Sequence, residues 1–332
     1  MDYTIKLSQY ERMLAQYIEQ RDERALYKGQ KFSRKMLEQH VSPEDVVSMH
    51  IEVVKRIIPH VDQKVMDSLE FLLEVMIGYG FAYREHQSLR TRQEQLDAEI
   101  DIAANIQKSL VEGEIPSGHG VDIGVISKPA KKMSGDYYHF VQDDHSISVA
   151  IADVVGKGIP AAMCMSMIKY AMDSLPDYRK QPGDVLSSLN HVVEQNIDPS
   201  MFITMFYGVY HADENIFSFA SAGHEPGFFY NHKYDRFEEL VAKGSVLGLR
   251  RHSNYAEYRL DIEPGDMIIL LSDGVTECRT EKGFLERGEI ADIIRSEMHS
   301  PAQRIVDQVY YNLEMLQDFV LRDDFTLIVL KF

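Results

Sequence analysis

Positive charge is scarce in this chain. Its 332 residues hold 35 Lys and Arg against 52 Asp and Glu, a formal charge of −17. Nucleic acids and anionic membranes bind clustered cations that displace counterions, so both are poor partners for such a composition. A phosphorylated substrate would need a cation bridge. Cysteine is nearly absent, with Cys164 and Cys278 alone, and the chain opens Met-Asp-Tyr-Thr-Ile-Lys without a basic n-region or an apolar h-region. Secretion is therefore not expected, and a reduced, cytoplasmic protein is. No apolar run reaches the roughly 20 residues that a membrane helix requires.

Covalent chemistry lacks its usual signatures too. A cysteine phosphatase loop places Arg six residues after its nucleophile, but Tyr170 follows Cys164 and Phe284 follows Cys278 at that spacing. Both thiols read as buried and structural. No Gly-x-Ser-x-Gly elbow or Walker lysine loop occurs. Gly156-Lys157-Gly158 follows a strand and opens a helix, yet a dinucleotide site wants an acid about 20 residues on at the next strand end. The nearest candidate, Asp173, falls in or just after the helical stretch Ala161 to Leu175.

What is present divides into three textures, and at about 100–200 residues per domain the length favours two domains. Residues 1–84 show no persuasive strand. Tyr3, Leu7, Tyr10, Leu14, Tyr17 and Ile18 recur at helical spacing, and Ser42-Pro43-Glu44-Asp45 has the form of a capping box with Pro at the first helical position. Val65 to Tyr83 carries too much apolar surface for one helix face, so this helix should pack on two sides, one of them a partner or dimer seam. Residues 85–118 turn polar and read as a linker helix, either a short coiled coil or a solvated connector. Residues 119–332 alternate strands with paired helices. Strands are predicted at 121–125, 146–151, 204–210, 216–222, 227–230, 255–260, 267–271 and 325–330, which indicates sheets layered with helices.

Acids mark the ends of several apolar runs in this last part: Asp136 in Ser-Gly-Asp-Tyr-Tyr, Asp153 in Ala-Asp-Val-Val-Gly-Lys-Gly, Asp273 in Ser-Asp-Gly, and the pair Asp323-Asp324. Any one alone is an ordinary turn former or cap. Gathered together they would repel by several kcal/mol unless protonated or bound to a hard cation, which makes Mg²⁺ or Mn²⁺ the natural occupant. His224, in Ala-Gly-His-Glu-Pro, reads as a turn histidine ahead of a ligand. The helix that begins near Ala161 is apolar on nearly every side and is expected to be covered on both faces, by the sheet and by a second element.

These strings, with Asp-Asp-Phe-Thr-Leu and Ser-Asp-Gly-Val-Thr-Glu in the same order, resemble the SpoIIE-like branch of the metal-dependent (PPM, type 2C) serine/threonine protein phosphatases. Tyr27 to Lys35 and Glu70 to Gln87 are similar to the N-terminal region of the phosphatases that activate the general stress response of Bacillus-type bacteria. The resemblance implies an α+β chain: an αββα four-layer sandwich preceded by an all-α bundle and a linker helix. It implies two divalent cations, Mn²⁺ or Mg²⁺, held by Asp136, Asp153, the Val154 backbone carbonyl, Asp273 and Asp323, with Asp324 adjacent to that last position. Asp136 and Asp153 would act catalytically through water activated by these ions. The implied substrate is a phosphorylated anti-anti-sigma factor (RsbV-like), and the implied activator is a switch kinase (RsbT-like) bound by the N-terminal domain of a homodimer. The chain departs from the frequent Gly-Asp-x-x-Asp pattern at His139, where a second acid is common. The rival reading is a catalytically silent scaffold of the same fold that binds phosphoproteins.

Overall fold

The computed structural model describes residues 3–21, 23–111, 113–155, 158–174, 181–198, 201–280, 283–317 and 319–332. Gly156 and Lys157 of the second acidic string, and Leu175 at the expected end of its helix, lie outside the described residues. The chain forms two compact units, Met1–Asp97 and Ala98–Phe332.

The first unit is helical: α1 (Tyr3–Gln20), α2 (Glu23–Glu38), α3 (Pro43–Ile57) and the opening part of α4 (Gln63–Val111). At the start of α3 the Ser42 hydroxyl accepts a hydrogen bond from the Asp45 N–H, with Pro43 next to it where no donor is needed. Leu7, Phe32, Met36, Met49 and Val53 make one small core, and Ile51, Val54 and Met66 a second. The far side of α4 keeps Phe71, Val75, Tyr79 and Phe81 exposed. The drop in apolar content near residue 84 does not interrupt α4, which is 49 residues long in all. Its polar stretch is rich in Gln, Glu, Arg, Leu and Ala, all strong helix formers, so propensity carries the helix without an apolar stripe.

The second unit is a four-layer αββα sandwich. One sheet has the order β1-β12-β9-β6-β7, comprising β1 (Asp122–Lys128), β12 (Phe325–Lys331), β9 (Met267–Leu271), β6 (Gly227–Asn231) and β7 (Arg236–Leu240). The other has the order β2-β3-β4-β5-β8, comprising β2 (Asp136–Gln142), β3 (Ser146–Val154), β4 (Ile203–His211), β5 (Ile216–Ala222) and β8 (Tyr258–Asp261). All neighbouring strands in both sheets are antiparallel. Helices α5 (Ile159–Asp173) and α6 (Pro182–Asn196) cover the second sheet, and α8 (Arg287–Glu297) and α9 (Ala302–Leu316) cover the first. The four-residue α7 (Asp273–Thr276) follows β9, and β10 (Arg279–Thr280) pairs with β11 (Gly283–Phe284).

Side chains alternate strictly across these sheets, as the period of two in a strand requires. In β3, Ile147, Val149 and Ile151 enter the seam between the sheets, while Ala150, Ala152 and Val154 face α5 and α6. In β9, Ile268 and Leu270 enter the seam while Met267, Ile269 and Leu271 face α8 and α9; in β12, Ile328 and Leu330 enter it while Leu327 and Val329 face outward. Each such aliphatic chain, fully buried, stabilises the fold by roughly 1.5–3 kcal/mol.

Two expectations change. Residues 255–257 do not join the ladder expected at 255–260, because Tyr255 is buried in the core under α5 and α6 and the strand starts at Tyr258. In α5, Ala161, Cys164, Met165, Ile168 and Met172 are buried, but Met163 and Tyr170 are exposed at 69% and 77%. Cover is therefore incomplete, leaving the strip at Met163 and Tyr170 open where the sequence predicted both faces to be covered.

Candidate metal centre

The alternation that fills the seam with aliphatic chains turns polar at one end of it. Continuing the inward phase of β3 from Ile147, Val149 and Ile151 brings Asp153 to the seam. The same step in β2 runs back from Phe140 through Tyr138 to Asp136. Asp136 and Asp153 are direct partners across the β2–β3 ladder. From the facing sheet, the inward phase of β12 gives Thr326 and then Asp324, and that of β9 gives Ser272. Polar groups from four strands therefore meet where the apolar packing ends.

Asp136 is 2% exposed, and its Oδ2 has no hydrogen-bond partner. Burial pushes its carboxyl well above the usual range, and the negative charges of Asp153 and Asp324 push the same way, against the hydroxyls of Ser272 and Thr326. Asp324 is positioned by the backbone: its Oδ1 accepts from the Ala130 N–H at 2.7 Å and its Oδ2 accepts from the Gly135 N–H. Gly135 explains how these oxygens approach. A Cβ there would stand 3.1 Å from Asp153 Oδ1, 3.3 Å from Asp324 Oδ2 and 3.4 Å from the Val154 carbonyl oxygen. Three oxygens of the expected donor set thus lie within 3.4 Å of one point, and the next residue in sequence, Asp136, carries the unpartnered oxygen.

Asp273 and Asp323 form a second, separate set. Asp273 opens α7, and burial raises its carboxyl, with Asp323 and Glu277 adding to the rise. Asp323 accepts from the N–H of Asp324 at 3.0 Å, and Ser272 Oγ donates to the Asp324 carbonyl at 3.2 Å, so the two sets share a backbone corner. Among the described residues no three acidic, histidine or cysteine side chains are gathered tightly enough to enclose an ion as they stand. Like charges hold one another off, and backbone donors occupy Asp324. The donor set nevertheless fits a hard divalent cation: every group is oxygen, one buried carboxylate oxygen lacks a partner, and a carbonyl faces the same point.

His224 and His139 have other roles. His224 sits in the turn after β5, buried, with ring Nδ1 bonded to Thr204 Oγ1 at 2.9 Å and its backbone N–H donating to Ser221 Oγ. Burial pulls its pKa down to about 4, with the Leu271 carbonyl opposing weakly, so it is a neutral structural imidazole. His139 faces the helix side of β2 beside Tyr137 and lies 3.5 Å from Asp173. Both cysteines are free and buried, as their sequence context indicated.

Sequence reasoning missed Gln107. This α4 residue is 5% exposed; its Oε1 accepts from the Ser134 N–H at 3.1 Å, and its Nε2 donates to the Ser134 carbonyl at 2.6 Å and meets Met165 Sδ at 3.0 Å. One amide therefore clasps the residue two before Asp136 and touches α5. Its signal is weak: it continues the phase of Ile100 and Ala103, but a glutamine in a polar helix normally faces water. Gln107→Ala would strand both Ser134 backbone groups, at about 1–3 kcal/mol each. We expect a lower urea midpoint and a higher Mn²⁺ requirement; an unchanged Mn²⁺ titration would leave the clasp a purely structural role.

Comparison with known proteins agrees with this architecture. The family model described as Stage II sporulation protein E (SpoIIE) matches residues 143–332, and that described as Phosphoserine phosphatase RsbU, N-terminal domain, matches residues 8–82. A similar curated protein is Phosphoserine phosphatase RsbU of Bacillus subtilis, 55% identical over 332 residues, covering 100% of this chain and 99% of that one. Among solved structures, the SiaA-PP2C domain of Pseudomonas aeruginosa is similar at a TM-score of 0.63 and 19% identity, over 73% of this chain and 98% of that one. The PP2C phosphatase domain of SpoIIE from Bacillus subtilis, with a fragment of its regulatory domain, is similar at 0.55 and 15%, over 82% and 100%. Asp153, Asp273, Asp323 and Asp324 fall inside the SpoIIE match; Asp136 precedes it.

Proposed function

The chain belongs to the RsbU branch of the SpoIIE family of PP2C-type phosphatases, and on that premise we propose that it hydrolyses phosphoserine on an anti-anti-sigma factor (RsbV-like). Dephosphorylation of that factor releases the general stress sigma factor, and a switch kinase (RsbT-like) bound to the N-terminal domain stimulates it. Residues 1–84 serve partner binding and dimerisation, 85–118 the linker and 119–332 the phosphatase domain. The exposed Phe71, Val75 and Tyr79 of α4 suit a homodimer seam, which sedimentation of a Phe71→Glu variant would test by its loss. No described helix is long and apolar enough to cross a membrane.

The observation that carries the reading is the meeting of Asp153 Oδ1, Asp324 Oδ2 and the Val154 carbonyl around Gly135, whose neighbour in sequence, Asp136, is buried with Oδ2 unpartnered. Asp136, Asp153, Val154, Asp273, Asp323 and Asp324 would hold two divalent cations, Mn²⁺ or Mg²⁺. When bound, those ions would supply Lewis acidity to activate water and neutralise phosphoryl oxygens. The residues of the chain do the rest. Asp136 and Asp153 offer acceptors at the end of a rigid ladder, which fixes them relative to the substrate phosphorus. Ser272 and Thr326 orient Asp136, and the backbone of Ala130 and Gly135 orients Asp324. The aliphatic seam behind them excludes water from one side, which strengthens each electrostatic contact.

The purified chain should release phosphate from para-nitrophenyl phosphate and from the phosphorylated anti-anti-sigma factor in proportion to added Mn²⁺, and lose this activity in chelator. A scaffold of the same fold would bind the phosphoprotein and release nothing, which would overturn the proposal.

A further inference from the structure

Two cations stand unpaired beside the carboxylates of this acidic chain. Lys131 and Arg322 line one cleft of about 520 Å³ together with Gly135 and Asp324, over a floor that includes Ile159 and Pro160. Both are exposed, and neither has a hydrogen-bond or ion-pair partner among the described residues. Neighbouring Lys132 differs, being paired with Asp101 at 2.7 Å. Arg322 also lines a second cleft of about 150 Å³ with Asp323 and Arg279. It therefore lines clefts on both carboxylate sets, directly preceding Asp323 and two residues before Asp324.

An exposed cation is ordinarily a solvated side chain worth little. Here the placement argues otherwise. In a chain of charge −17, a phosphate ester approaching the seam meets a field of its own sign, and cations at the mouth are what would offset it. Arg322 offers a planar fork of N–H donors that matches two phosphate oxygens, and Lys131 adds a mobile point charge. Resting on the phosphatase reading above, we propose that Arg322 and Lys131 grip the phosphoryl dianion of the phosphoserine substrate at the mouth of the 520 Å³ cleft. They are binding residues that raise the local concentration of the substrate and aim its phosphorus at the seam. The apolar floor accepts the uncharged side chain that flanks the phosphoserine.

The test uses the full chain with Mn²⁺ and a fluorescein-labelled alanine and glycine peptide centred on a phosphonate analogue of phosphoserine, which is never cleaved, beside its unphosphorylated twin. Fluorescence anisotropy should show the phosphonate peptide binding roughly tenfold more weakly to Arg322→Ala and weaker again to the variant that also carries Lys131→Ala. The twin should bind feebly and equally to all. Because the two residues are exposed, melting temperatures should be unchanged, and either single variant suffices should the double one fail to fold. Equal affinity of wild type and variants for the phosphonate peptide would overturn the proposal, as would an equal loss for the twin. The readout needs no turnover, so a wild-type chain that releases no phosphate yet binds the phosphonate through these cations would remove the phosphatase reading alone.

Discussion

Asp153→Asn should lower Mn²⁺-dependent phosphate release on the order of a thousandfold, with the melting temperature of the metal-free protein little changed. Asp136→Asn should do the same to turnover but should raise metal-free stability at neutral pH. The difference comes from burial. Asp136 is 2% exposed with one oxygen unpartnered, so its ionised form is penalised in the fold. Its folded pKa lies above the unfolded one. The stability associated with it is then fully present below the unfolded pKa and is lost as pH rises through the folded pKa. Metal-free wild type should therefore weaken relative to Asp136→Asn as pH rises from about 4, which urea titrations at several pH values would show. A cation takes the place of the proton, so Mn²⁺ affinity should climb over the same range. Wild-type turnover in either variant would refute the site.

Gly274→Ala should be strongly disruptive. A Cβ there would stand 2.1 Å from the Asp324 carbonyl oxygen and 3.4 Å from the Asp323 carbonyl carbon. These are backbone atoms at the corner joining the two carboxylate sets, and they cannot swing aside as a side chain would. Overpacking of this kind costs about 1–3 kcal/mol or more, and here it would also displace Asp323 and Asp324, so turnover should fall with stability. Gly288→Ala is the control. Its Cβ meets nothing within 4 Å, and Gly288 lies in α8, where alanine is favoured by about 1 kcal/mol. Calorimetry of both variants checks the contrast; equal melting temperatures would contradict it.

Much of this was legible in the sequence, for reasons that differ by element. Strands β3, β5, β9 and β12 were readable because buried strands are written in long β-branched and aromatic runs. β7 was not: Arg236-Phe237-Glu238-Glu239-Leu240 lies at a sheet edge with a largely exposed face, and its charges hide the period. β2 escaped because Ser-Gly-Asp reads as a turn, although Asp136 already belongs to the strand. The acids were conspicuous because several converge on strand ends, where chemistry is common. Gln107, Gly135 and Gly274 matter through what they touch, and a contact between residues 107 and 134 leaves no mark in either segment alone. The exposed Met163 and Tyr170 of α5 were similarly hidden, since composition cannot say which faces of an apolar helix find cover.

One property of the β2–β3 hairpin bears on how such chains can vary in length. Its oil and its chemistry share a single reading frame, from Phe140 to Asp136 on one arm and from Ile147 to Asp153 on the other. Dropping or adding one residue inside either arm would exchange insides for outsides, aiming a carboxylate at the helix layer and a hydrocarbon at the cluster of acids. The tip obeys no such frame: it is closed by the Asp143 N–H to Ser146 carbonyl bond and by Asp143 Oδ1 capping His145. Natural insertions and deletions in this hairpin should therefore cluster at 143–145, far from the acidic end, while the two arms keep constant length.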